Sequence, residues 1–119
     1  MPRLRQTKWF AAAVAGMTFW SHAATAAFEM GNDLYAKCPL QRPDSLREAA
    51  ALGYVIGVHD AATGDSAKPA PYCRPTGVSA IQMRDVVCAW LTNHPENRHY
   101  TANSIIVVAL TQAWPCARQ

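Results

Sequence analysis

Apolar positions along the second half of the chain recur at helical intervals. Met83, Val86, Val87, Trp90 and Leu91 fall at three- and four-residue steps, and Ile105, Val108, Ala109 and Ala113 continue that period from Tyr100 onward. The spacing predicts a helix from the capping box Ser79-Ala80-Ile81-Gln82 to about Asn93, since Pro95 disfavours helical backbone at His94. Pro95 suits the first turn of the next helix, with Asn93 or His94 as its cap, and Pro115 stops it. Upstream, Ser45-Leu46-Arg47-Glu48 is another capping box, opening a helix that runs to about Ala62. Gly31 to Cys38 reads as a short first helix capped by Asn32 or Asp33, with Leu34 and Cys38 on one face and Pro39 and Pro43 bracketing the connection. The expected fold class is all-α, a small four- to five-helix bundle.

Two departures from regular pattern matter. Ala49, Gly53, Gly57 and Ala61 recur every four residues in the second helix, a strip with almost no side chain. Each glycine costs a helix roughly 1 kcal/mol relative to alanine, so close approach of another helix backbone at Gly53 and Gly57 is expected in return, inside the chain or between two copies. The second departure is the stretch TGDSAKPAPYCRPTG, residues 63–77, whose glycines and prolines exclude a helix. Loops of this length in small domains are often functional. Tyr72 and Arg74 flank Cys73 there and are of types enriched at binding hot spots, which makes them the candidate partner contacts.

The front of the chain has a different character. Arg3, Arg5 and Lys8 precede a short apolar run from Phe10 to Trp20, and Ala24-Thr25-Ala26 has the small-x-small pattern of a cleavage site. Residues 1–26 are therefore expected to be a secretory signal peptide and residues 27–119 a single domain; an uncleaved anchor is the alternative, though the run falls short of the about 20 residues a span needs. The full chain holds 11 basic and 8 acidic residues, but three of the basic ones leave with the leader and the remainder balances. No clustered basic face remains to suggest nucleic acid, and no membrane association is expected after cleavage. Cys38, Cys73, Cys88 and Cys116 all lie in the exported part. An even count in an oxidising compartment points to two disulfides, and the absence of any C-x-x-C pair argues against zinc.

The densest collection of reactive side chains is Asn93-His94-Pro95-Glu96-Asn97-Arg98-His99. Metal or acid–base chemistry would need preorganised ligands, whereas His94 and His99 are separated by a proline break. His94, Pro95, Arg98 and His99 are read as a structural helix junction, with Arg98 bonding to a carboxylate or carbonyl of a neighbouring helix. His59-Asp60 is the best local acid–base pair, but adjacent helical residues point apart. No catalytic residue, metal or cofactor is expected.

Several short stretches follow one another along the chain. They are Gly31-Asn32-Asp33-Leu34-Tyr35 with Cys38, then Gly53-Tyr54-Val55-Ile56-Gly57-Val58-His59-Asp60, then Cys73-Arg74-Pro75 with Gly77-Val78-Ser79. His94-Pro95 with Arg98-His99 and the closing Ala113-Trp114-Pro115-Cys116 complete the series. In this order, behind a leader, they resemble the Rap/Tai family of immunity proteins. The resemblance implies a small helical periplasmic protein that binds a peptidoglycan amidase delivered by type VI secretion and blocks its substrate cleft. It implies a cognate secreted amidase as partner and admits a homodimer. A periplasmic chaperone or stress protein is the alternative role. One departure bears on the cysteines: the family's cysteine just before the Gly-Tyr motif is Ala51 here, and Cys88 is present instead. Against that pattern, the expected bridges are Cys38–Cys88 and Cys73–Cys116.

Overall fold

The computed structural model of the protein describes Pro2, residues 29–39 and residues 44–117. The leader expected over residues 1–26 lies outside the described residues, as does Pro43. Among the described residues there are four helices, α1 (Gly31–Tyr35), α2 (Ser45–Thr63), α3 (Ala80–Asn93) and α4 (Ala102–Ala113), with one 3-10 turn at Pro95–Asn97. Helices α2, α3 and α4 pack on one another and α1 lies against α3 and α4. Leu34, Val55, Val87, Leu91, Ile106 and Leu110 are completely buried between them. The helical class and bundle expected from the apolar period are what the chain adopts.

The start of α3 follows the sequence expectation closely. Gln82 N donates to Ser79 Oγ at 3.2 Å and Ser79 N donates to Gln82 Oε1 at 2.8 Å, so two free amides at the helix start are satisfied reciprocally. At α2 the cap is Asp44 rather than Ser45. Its Oδ1 accepts from Leu46 N at 2.9 Å and from Arg47 N at 3.3 Å. A carboxylate suits the positive helix start better than a hydroxyl does, and residue 44 was available one step earlier. At α1 the cap moves to Met30, whose N–H donates to Asp33 Oδ2 at 3.1 Å. Regular α-helix there ends at Tyr35, and the turn beyond it is closed by tighter bonds from Lys37 N to Leu34 O and from Cys38 N to Tyr35 O.

The junction after α3 differs more. Pro95 opens a turn as expected, but the turn is a single 3-10 one, and α4 begins only at Ala102, capped by Thr101. His99, expected inside the last helix, lies in the intervening turn. The cause is a long-range contact. Met30 and Thr101 form an antiparallel bridge, with Gly31 N donating to Tyr100 O and Ala102 N to Glu29 O, each at 2.8 Å. That pairing requires extended backbone at Thr101, so a helix cannot run through it.

This bridge also relocates the glycine argument. A Cβ at Gly31 would stand 2.6 Å from Arg98 O and 2.9 Å from Arg98 Cα, so a side chain is excluded where the two segments meet. At Gly53 and Gly57, outside the helix's own nearby backbone, no atom of the described residues comes within 4 Å of a Cβ position. Among the described residues no helix packs closely at Gly53 and Gly57: α2 buries Ala51 and Val55, and the small-residue strip faces outward.

Both expected disulfides form. Cys38–Cys88, both residues buried, fastens the turn after α1 to α3 across 50 residues, and Cys73–Cys116 ties the long loop to the tail across 43. Loops of these lengths give roughly 4 kcal/mol each in the chain-entropy account, comparable with the total stability of a small domain.

Candidate functional site

The segment between α2 and α3 is the longest irregular stretch of the described chain, exposed at its tip and bonded to the body on both limbs. Residues 64–71 are all exposed. Within them Asp65 organises a local turn, accepting from Ala67 N through Oδ1 at 2.9 Å and from Lys68 N through its carbonyl at 3.1 Å. Pro69 and Pro71 restrict the backbone on the far side of that turn.

Immediately beyond, the chain is fixed from several directions. Tyr72 is 2% exposed and belongs to the core, with its Oη 2.8 Å from His59 Nδ1 on α2. Cys73 N donates to Trp114 O at 2.9 Å beside the Cys73–Cys116 bridge, and Thr111 Oγ1 donates to Pro71 O at 3.3 Å. Arg74 is exposed and donates from Nη1 to Val78 O. Of the two proposed partner contacts, only Arg74 is on the surface. Tyr72 cannot present its ring to a partner from this position. Its hydrophobic body belongs inside a small core, and the phenol finds its polar partner there.

His59 turns towards Tyr72, and the two rings stack with centroids 5.7 Å apart. Burial pushes the His59 imidazole below its ordinary pKa, the Arg74 guanidinium adds to the effect, and Asp60 opposes it. Burial also raises the Tyr72 phenol. Burial thus favours the neutral form of both side chains, and the histidine ring holds the loop through Tyr72.

The side chains of the histidine-rich junction make contacts within the fold. His94 Nδ1 lies 2.8 Å from Trp90 O, and its ring stacks on the Trp90 indole at 4.1 Å. Arg98 donates from Nε to Leu91 O at 2.7 Å and from Nη2 to Thr92 O at 3.3 Å, the carbonyl partners expected of it. These satisfy free carbonyls at the end of α3. His99 packs on the ring of Tyr100. Among the described residues no group of three or more His, Cys, Asp or Glu side chains could hold a metal ion. No helix among them is long and apolar enough to cross a membrane.

The second surface feature is a shallow, mainly apolar groove between α2 and α4. Gly53, Gly57 and Ala61 form its floor on one side, and Asn103, Ser104 and Val107 flank it on the other. The small-residue strip signalled this surface in the sequence, although its direction was not readable there.

Comparison with known proteins gives one family match: the model of the Rap1a immunity proteins covers residues 30–116. No curated protein and no solved structure matches the chain.

Proposed function

The chain belongs to the Rap1a immunity protein family, and from that premise we propose that it is a periplasmic immunity protein that binds and inhibits a peptidoglycan amidase delivered by type VI secretion. The family match over residues 30–116 carries this reading. Two features support the compartment. The basic, apolar and small-residue order of residues 1–26 suits a leader cleaved to release residues 27–119, and both cysteine pairs are oxidised. The protein acts by binding, without turnover, cofactor or metal. A rigid surface suffices for that, and the loop of residues 64–71 with Arg74 supplies one. The outward strip at Gly53 and Gly57 is the surface we assign to a homodimer.

Co-expression tests the proposal. An amidase encoded beside this gene, directed to the periplasm, lyses cells when produced alone and spares them when this chain is produced with it. Lysis that continues unchanged with the chain present and exported overturns the reading. So does purified chain that leaves the amidase's cleavage of peptidoglycan untouched.

A further inference from the structure

A long exposed loop makes a poor binding surface if it must be ordered on each encounter, because the lost freedom weakens the complex. Here the ordering is built in next to the exposed part. Residues 64–71 are exposed, whereas Tyr72 is buried and bonded to His59, and the cross-linked Cys73 follows directly. The disulfide fixes where the loop returns to the body. The bonds from Cys73 N to Trp114 O and from Thr111 Oγ1 to Pro71 O hold the backbone on either side of that point against α4 and the tail. The phenol of Tyr72, bonded at its Oη to His59, adds a side-chain tie from this limb to α2. On the other limb, Gly64 N donates to Asp60 O at 2.8 Å, and Thr63 Oγ1 donates to His59 O at 2.8 Å. His59 thereby touches both limbs of the loop, through its carbonyl on one side and its ring on the other.

Resting on the immunity reading, we propose that residues 64–71 are the tip that enters the partner and that His59 and Tyr72 are positioning residues, a latch that sets the angle of the tip without touching the partner. Asp65 and Lys68 are the charged groups the tip presents.

The sequence provides a way to observe the latch directly. Both basic residues of the loop precede proline, in Lys68-Pro69 and Arg74-Pro75, so trypsin does not cut there. Pro69→Ala opens one site at the middle of the tip and leaves Arg74-Pro75 closed. The two pieces stay joined through Cys38–Cys88 and separate only on a reducing gel. Cleavage of native protein at Lys68 then reports how often the loop opens. In the Pro69→Ala background, Tyr72→Phe keeps the buried ring and loses the bond, and cleavage should quicken about fivefold, as one hydrogen bond's net contribution implies. His59→Leu should match it. His59→Asn, whose amide can stand near the Nδ1 position, should restore the slow rate, which mere loss of packing would not allow. Equal cleavage with Tyr72 and with Phe overturns the latch.

The tip is tested against the amidase encoded beside the gene. Replacing residues 65–70 with glycine and serine at the same length should weaken binding at least about thirtyfold, the loss of one hot spot. Binding as tight as that of the unaltered chain removes the tip from the interface. An unaltered chain that binds no amidase overturns the immunity reading and the tip's role together, while the proteolysis still decides the latch.

Discussion

The Arg98 guanidinium lies over the Tyr35 ring with its central carbon 3.5 Å from the ring centroid, while its nitrogens donate to the Leu91 and Thr92 carbonyls. Its own carbonyl accepts from Asn32 N at 2.9 Å. One residue of the junction therefore joins α1 to the end of α3. Arg98→Ala should lower the unfolding free energy by about 2–3 kcal/mol, the sum of a charge-assisted bond and a cation–π contact. Arg98→Lys should recover less than half, since an ammonium cannot both stack on the ring and direct its donors at two carbonyls. Urea titrations of the three proteins, with the disulfides intact, measure both steps. Full recovery by lysine would show that charge alone matters.

Glycines provide a paired expectation. Gly53→Ala and Gly57→Ala should each stabilise the monomer by up to about 1 kcal/mol, because the helix gains and nothing lies within 4 Å of the new methyl group. Gly31→Ala should do the reverse, since its methyl group would meet the Arg98 backbone. Thermal unfolding at low protein concentration reads all three. Size-exclusion at high concentration reads whether the first two weaken self-association, the outcome expected if a second copy approaches the strip.

The two bridges should differ in reactivity. Cys73 and Cys116 are exposed, whereas Cys38 and Cys88 are 0% and 3% exposed. A thiol reductant must reach sulfur to exchange with it, so mild dithiothreitol should open Cys73–Cys116 first. Timed alkylation and peptide mapping follow the order. Early labelling of Cys38 or Cys88 would mean that the core opens before the loop does.

Local sequence carries some of these features and cannot carry others. The α3 helix was legible to its capping residues because Ser79 and Gln82 act within one turn and Met83, Val87 and Leu91 follow the helical period. The start of α4 was not, because Thr101 is set by Met30, some seventy residues away, and no local pattern records that bridge. The same holds for the glycines. Gly31 and Gly57 look alike as letters, and only the crossing of other segments shows that one is crowded and the other open. Tyr72 was misplaced for a related reason. Its residue type and its place beside Cys73 in a long loop suggested a partner contact, while the hydroxyl had a partner on α2 that spacing alone could not identify. The loop itself was readable, because its glycines and prolines leave no helical period.

Proton linkage at His59 gives the last expectation. Its folded pKa lies below the ordinary 6.5 because of burial first and then Arg74, with Asp60 opposing. The folded state thus binds fewer protons near that pH than the unfolded chain does. The stability that neutral His59 contributes is complete well above pH 6.5, and it is lost as the pH falls through 6.5 and on through the folded value. The groups facing the ring are Tyr72 and Arg74 from the loop and Asp60 from its own helix, and of these only the arginine repels the imidazolium. Unfolding free energies measured between pH 7.5 and 5 should therefore fall more for the unaltered chain than for His59→Asn, which has no proton to gain. Carboxylates titrate alike in both proteins and cancel in the difference. Parallel curves would mean that His59 is protonated as readily in the fold as outside it, so that neither burial nor Arg74 governs its charge.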